Sequence, residues 1–450
     1  MRTRLIIASN RLPVNIIEEA GGGLAIGRSI GGLATALDAI FQRYEPFWVG
    51  WTGIRRVLSK EELTHLNLHK RLIPVQADVE LIEAHYDRIS NSVLWPVLHH
   101  LAPHYDPPES DWDAYREMAN HFAQAIKKIV RPGDVIWLHD YQLMFVPKAL
   151  RALGVDNRLG FFCHTPFPDA EHIVNISHYR EILANLCEVD LLGLQTDSDV
   201  DRFWDSLRAL HAGEQPGLVR AFPIGIDYAG YRKRANEAAT DEILANIKAT
   251  LGDRRIILSI SRLDYTKGIA DQLRIVERFL ERTPDREQYV YKLGVAPSRE
   301  TVPEYAQLRD SIQKLADRIN ARLSTPTWTP IEYEYHNFSF EEITAWFRAA
   351  EVALLTPHFD GMNLIAKEFI AARHAPAGLI ISTGIGSALQ LKEALQIPPH
   401  DIAAGAQALE TAFTMDRKEK ETRWDALCDH VRDENVFWWA DHFLKALSKD

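Results

Sequence analysis

Apolar residues in this chain fall into short, nearly unbroken runs at 5–8, 135–138, 159–163, 191–194, 256–260, 289–295, 352–355 and 379–381. Polar or Gly/Pro punctuation follows each run. Short runs without polar alternation read as strands buried on both faces, the pattern of a parallel sheet covered by helices. Stretches at 113–130, 269–282, 341–350 and 363–374 instead place apolar residues at helical spacing. Strands alternating with amphipathic helices predict an α/β protein whose chemistry lies at the carboxyl ends of its strands.

The clearest break is Ala221-Phe222-Pro223-Ile224-Gly225-Ile226-Asp227, followed by a polar, Ala-rich helical stretch at 237–251 and a fresh strand at 256. The expected layout is two doubly wound Rossmann-like domains facing across a cleft, residues 1–228 and 229–435. A terminal segment, 436–450, is apolar enough to pack back on the first domain. Gly21-Gly22-Gly23-Leu24 reads as a hairpin or loop.

Composition narrows the function classes. Hydrophobic residues make up 46% and charged residues 25% of 450, an ordinary globular balance. A formal net charge of −11 opposes nucleic-acid or anionic-membrane partners, though Arg and Lys can still dominate one site. Three cysteines do not make a disulfide framework. The apolar run after Met1-Arg2-Thr3-Arg4 is too short for a signal peptide, and no stretch approaches the ~20 apolar residues of a membrane span. A cytoplasmic protein is expected, and a homo-oligomer is compatible with the sequence.

Several motifs carry candidate chemistry. Ser29-Ile30-Gly31-Gly32-Leu33 places paired glycines before a helix, where backbone N–H groups can approach a phosphate; a plain turn is the competing reading. Ser261-Arg262-Leu263-Asp264-Tyr265-Thr266-Lys267-Gly268 follows the strand at 256–260, and its Arg and Lys suit a diphosphate; a solvated loop with an Asp264 salt bridge competes. His358-Phe359-Asp360-Gly361-Met362-Asn363-Leu364-Ile365 leads into a helix whose free N–H groups could hold a second phosphate face, with Glu368 one turn in to accept from ribose hydroxyls. An ordinary N-capped helix with a surface Lys-Glu pair competes there. Asp140 and His164 end neighbouring strands and could bind sugar hydroxyls. Tyr86 to Pro96 mixes apolar platforms with polar donors and reads as core packing. Asp197, Asp199 and Asp201 read as a helix cap after Thr196 rather than a metal clamp. His99, His100 and His104 lack metal-ligand spacing. No metal and no other cofactor is expected.

Together these pieces resemble the trehalose-6-phosphate synthase family of retaining glycosyltransferases. Ordered blocks carry the resemblance over nearly the whole chain: Ser9-Asn10-Arg11-Leu12-Pro13-Val14, Asn91-Ser92-Val93-Leu94-Trp95-Pro96, 137–141, 164–168, 222–227, 262–268, Pro297-Ser298-Arg299 and 360–368. The resemblance implies the GT-B architecture, two Rossmann-like domains, and transfer of glucose from a nucleoside diphosphate glucose to glucose 6-phosphate. It implies that Arg11, Tyr86 and Arg299 hold the acceptor phosphate, with Trp95 beside the sugar and Asp140 binding it. On the donor side it implies the glycine loop Gly31-Gly32, the diphosphate clamp Arg262 and Lys267, and Phe338 at the base. Gly361, Met362, Asn363, Leu364 and Ile365 then form the donor-binding helix start, with Glu368 on the ribose. His164 and Asp360 would contact hydroxyls of the transferred glucose, and Asp360, His164, Arg262 and Lys267 make up the catalytic set. The chain departs from the family in a shorter segment at 210–220. It also carries Ser382-Thr383-Gly384-Ile385-Gly386-Ser387-Ala388 where the family has Ser-x-Phe-Ala-Gly-Ala-Ala. The second departure bears on the donor pocket and leaves the base open.

Overall fold

The computed structural model describes residues 4–18, 23–28, 32–66, 68–210, 215–299 and 302–448. The chain divides into two units, Met1–Pro223 with Trp439–Asp450, and Ile224–Trp438. Each is built on its own parallel sheet.

The strands of the first unit are Leu5–Arg11 (β1), Val14–Glu18 (β2), Leu24–Arg28 (β3), Phe47–Trp51 (β4), Leu72–Val75 (β5), Val135–His139 (β6), Arg158–Phe162 (β7), Leu191–Leu194 (β8) and Leu218–Ala221 (β9). β2 and β3 pair as an antiparallel hairpin. The other seven form one sheet in the order β5-β4-β1-β6-β7-β8-β9, paired in parallel throughout. Without the hairpin this is the doubly wound order with a strand added at one edge, and the winding reverses between β1 and β6. β6 and β8 are buried along their whole length, which explains their unbroken apolar sequence.

Trp439, Ala440, Phe443 and Leu447 are buried in this first unit. The Phe443 ring stacks on Trp137 of β6, with centroids 4.5 Å apart and planes 12° from parallel. A Cβ on Gly160 of β7 would come within 2.8 Å of both Phe443 and Leu447, and one on Gly193 of β8 within 2.6 Å of Phe443. Bare glycines on two adjacent strands thus admit the helix Val436–Leu447 onto the sheet.

The strands of the second unit are Arg255–Arg262 (β10), Tyr289–Ala296 (β11), Ile331–Tyr335 (β12), Val352–Leu355 (β13), Gly378–Ser382 (β14) and Leu395–Ile397 (β15). Their order, β12-β11-β10-β13-β14-β15, is the doubly wound Rossmann order, reversing between β10 and β13. Alternate residues of β10 enter opposite cores. Ile256, Leu258 and Ile260 pack with Leu355, Phe369 and Trp424, whereas Ile257 packs with Leu273, Leu293 and Leu354.

Every expected strand falls on an observed one, and the expected helices appear as Glu109–Lys127, Ile269–Arg282, Phe340–Ala349 and Leu364–Ala372. Among the described residues, no helix is long and apolar enough to cross a membrane.

Candidate active site

In the second unit, β10 ends at the exposed Arg262. The chain then passes through Asp264, a short turn at Tyr265–Lys267 and Gly268, whose φ of 65° is left-handed. A Cβ on Gly268 would overlap the carbonyl oxygen of Thr356 in the segment leaving β13, so glycine is required for both conformation and space. The His358 N–H donates to Thr266 O at 2.7 Å and closes the two loops together. They emerge where the sheet reverses its winding, the place at which doubly wound folds bind ligands.

There the nearly buried Lys267 Nζ lies 2.6 Å from Asp360 Oδ2. Asn363 Nδ2 donates to the same oxygen and the Gly361 N–H to Oδ1, each at 3.0 Å. Asn363 has φ 58° and precedes the helix Leu364–Ala372, but its side chain turns to Asp360 instead of capping that helix. The departing segment at 382–388 braces this loop. The Asp360 N–H donates to Gly384 O at 3.1 Å, and Gly386 and Ser387 N–H groups donate to Gly361 O and Met362 O at 2.6 and 3.2 Å.

Asp264 organises the other side. Its Oδ2 accepts from Arg299 Nη1 at 2.6 Å and Tyr305 OH at 3.0 Å, and its Oδ1 from the Thr266 N–H at 3.0 Å. Burial works against this carboxylate. The charges of Arg299 and Lys267 and the Thr266 N–H outweigh it and hold the pKa below the usual carboxylate range. Phe338, past the end of β12, is buried against Gly294, with its ring centroid 3.9 Å from that of His336. In the helix Leu364–Ala372, burial pushes the Glu368 carboxyl up to about 7. Its neighbour Lys367 donates to Ile224 O and Gln390 Oε1, both at 2.7 Å, and burial pulls its pKa down to about 7.

In the first unit, Arg11 closes β1 and Trp51 closes β4. The Arg11 guanidinium lies 5.3 Å from the Trp51 ring, and Trp51 meets Tyr86 at 5.8 Å. A Cβ on Gly53, where φ is 88°, would overlap the Arg11 guanidinium. Crowding by protein lowers the pKa of this cation; Tyr86 opposes that and Arg55 adds to it. Among the described residues no carboxylate pairs with Arg11. Tyr86 rides on Glu83–Leu94, a wide π-helical segment in which Ser90 and Ser92 hydroxyls donate to the carbonyls five residues back. Such segments are rare and recur at functional sites. Trp95 follows directly, its ring 5.8 Å from Tyr141.

Asp140 leaves β6 with φ 75° and accepts from the His164 N–H at 3.0 Å. His139 Nδ1 and His164 Nε2 are 3.0 Å apart. Burial pushes the His164 imidazole down to about 3, and burial with the adjacent His164 lowers His139 as well. The pair is therefore neutral at physiological pH, one ring donating its N–H to the other.

The structure thus joins Arg11 to Tyr86 through Trp51, and Asp140 to His164. It gathers Lys267 and 360–363 into one network, with Arg262 at the mouth of the same loop. Arg299 belongs to the second unit and is held by Asp264. Gly31 lies outside the described residues, and Gly32 opens the helix Gly32–Tyr44. Thr196 and Asp199 form a reciprocal cap on the helix Asp197–Ala209. Sequence reasoning passed over Trp51, Gly53, His139 and Tyr305 and left Asp264 as a competing salt bridge. His139 adjoins a quoted motif residue, but the need for Gly53 shows only once Arg11 is in place.

Comparison with known proteins meets these observations. The profile described as Glycosyltransferase family 20 matches residues 3–449. The bifunctional trehalose-6-phosphate synthase/phosphatase of Thermoproteus tenax is 36% identical over 99% of this chain, which spans only 63% of that protein's length. The trehalose-6-phosphate synthase of Mycolicibacterium vanbaalenii is 33% identical, with 98% of this chain and 95% of that protein covered. The crystal structure of a UDP-forming alpha,alpha-trehalose-phosphate synthase from Burkholderia xenovorans, in complex with glucose-6-phosphate, superposes with a TM-score of 0.88 at 32% identity, covering 99% of this chain and all of that one. With its two Rossmann-like sheets and a match from one end to the other, the chain belongs to glycosyltransferase family 20.

Proposed function

We propose that the chain is an alpha,alpha-trehalose-phosphate synthase that moves glucose from UDP-glucose to glucose 6-phosphate with retention, giving trehalose 6-phosphate and UDP. The Lys267–Asp360 pair at the winding reversal of the second unit, with Arg262 at the mouth of the same loop, carries this reading. Arg262, Lys267 and the first N–H groups of Leu364–Ala372 form a cationic end for a diphosphate, and Asp360 and Asn363 offer hydrogen bonds to a hexose. A UDP-forming relative, a solved synthase in complex with glucose-6-phosphate, another bound with UDP-2-fluoro glucose and one studied for glycosyltransfer with retention support the same assignment.

Chemically, the bond from the anomeric carbon to the diphosphate oxygen breaks, and a bond to the acceptor's anomeric oxygen forms on the same face. The acceptor proton passes to the leaving phosphate oxygen. Arg262 and Lys267 stabilise the charge that builds on the diphosphate, each charge-assisted bond contributing roughly 1.5–3 kcal/mol. His164 stays neutral and serves as a hydrogen-bonding group to a sugar hydroxyl. In the first unit, Arg11 and Tyr86 receive the acceptor phosphate. No metal is assigned a step in the transfer itself, and on this reading the reaction belongs to the cytoplasm.

The test is product analysis with UDP-, GDP- and ADP-glucose against glucose 6-phosphate and a panel of other phosphorylated acceptors. Trehalose 6-phosphate formed fastest from UDP-glucose is the expected result. Preference for glycerol 3-phosphate or a pseudo-sugar phosphate would assign a sister transferase, and nucleotide release without acceptor would assign an epimerase.

A further inference from the structure

Asp271, His358 and His400 meet on the second unit beside the groups assigned to the donor. Asp271 lies in the first turn of the helix Ile269–Arg282, His358 on the segment leaving β13, and His400 between β15 and the helix Ile402–Thr414. Asp271 Oδ2 is 2.9 Å from His358 Nε2 and 3.0 Å from His400 Nδ1, and the three atoms lie within 4.8 Å of one another. The two imidazole rings have centroids 3.8 Å apart and planes tilted by 36°. Asp271 Oδ1 accepts from Arg274 Nη1 at 2.7 Å, which fixes the carboxylate and leaves Oδ2 toward the histidines.

A zinc-type ion bonded tetrahedrally to nitrogen and oxygen at ~2.0–2.1 Å keeps its ligands roughly 3.3 Å apart. The Asp–His spacings need to open by only a few tenths of an ångström to reach that value. His400 is 65% exposed, which gives an ion a path in. We propose that Asp271, His358 and His400 form a binding site for one divalent transition-metal ion of the zinc class, outside the transfer chemistry. Three protein ligands leave a fourth position for water or an anion. A neutral imidazole needs only to move its N–H to the other ring nitrogen, so each His–Asp hydrogen bond is exchanged for a shared ion without loss of a proton. Because the His358 N–H is held by Thr266 O, an ion here braces the Lys267 loop against the Asp360 loop.

A second His–Asp–His group, His100, Asp169 and His172, serves as the internal control. It is looser, with His100 Nδ1 4.0 Å from Asp169. The full chain, stripped with chelator, is titrated with Zn²⁺, and with Co²⁺ as a spectroscopic probe. One equivalent should bind with a dissociation constant of about micromolar or tighter, with the visible absorption of low-coordinate Co²⁺, and should raise Tm. His400→Asn keeps a donor for Asp271 and tolerates the left-handed backbone at φ 65°, so it should fold normally yet bind at least ~10-fold more weakly. His400→Cys supplies a new ligand and should restore affinity, and His172→Ala should leave it intact. No saturable binding below ~100 µM, or affinity unchanged in His400→Asn, would overturn the assignment.

Discussion

Lys267 holds Asp360 at 2.6 Å across 93 positions of sequence, and this contact locks the loop after β10 to the loop after β13. In the proposed reaction, the cation assigned to the departing diphosphate is thereby positioned by the acid assigned to the transferred sugar. Lys267→Ala is expected to lower kcat by about 10²–10³, the usual consequence of removing one preorganised charge from a transition state. Asp360→Asn should lower kcat at least ~10-fold, and the double variant should fall well short of the product of the two losses because the residues act as a pair. Steady-state kinetics with intact-mass analysis reads both points. Full activity in Asp360→Asn, together with an accumulated covalent glucosyl-enzyme elsewhere, would refute front-face transfer.

Gly268→Ala places a methyl group on the Thr356 carbonyl at a left-handed φ of 65°. The expected result is a destabilised protein, by roughly 1–3 kcal/mol in urea unfolding, with a raised donor KM and an unchanged acceptor KM.

Gly53→Ala is the counterpart in the first unit. Its Cβ overlaps the Arg11 guanidinium and displaces it from Trp51. The KM for glucose 6-phosphate should rise by about tenfold or more, the loss of one charge-assisted phosphate contact. Inhibition by UDP alone should be unaffected. Equal loss of both would mean the substitution unfolds the unit rather than moving Arg11.

Lys367 and Glu368 give a pH signature. Burial raises the carboxyl to about 7 and lowers the amine to about 7. The carboxyl's contribution to stability is complete below its unfolded pKa of ~4.3 and is lost as pH rises through about 7. The amine's contribution is complete above its unfolded pKa of ~10.4 and is lost as pH falls through about 7. Their combined contribution is therefore lowest near neutrality. Glu368→Gln should be more stable than the parent by roughly 3 kcal/mol at pH 8, with the gap closing toward pH 4.5. A gap independent of pH would mean that Glu368 titrates normally.

Much of the scaffold was legible because buried parallel strands must be apolar on both faces. β6, β8, β10 and β13 announce themselves for that reason. The edge strand β12 did not, because Ile331-Glu332-Tyr333-Glu334-Tyr335 alternates apolar with charged residues and only Ile331 is fully buried. The π-helical stretch under Tyr86 was illegible, since its spacing of hydroxyls and carbonyls matches neither common period. The motif residues after β10 and β13 were visible as strand-end charges. What sequence could not supply was their partnering: whether Asp264 meets solvent or Arg299, and whether Asn363 caps its helix or binds Asp360, depends on residues far away along the chain.

The sheet face bared by Gly160 and Gly193 is covered by Phe443 and Leu447. During synthesis, β7 and β8 leave the ribosome roughly 250 residues before Phe443 does, a wait of about ten to fifty seconds at ordinary elongation rates. The whole second unit is made in that interval. The first unit to be translated is thus the last to be sealed, and for those seconds its nascent sheet offers chaperones an apolar surface that the finished protein never shows.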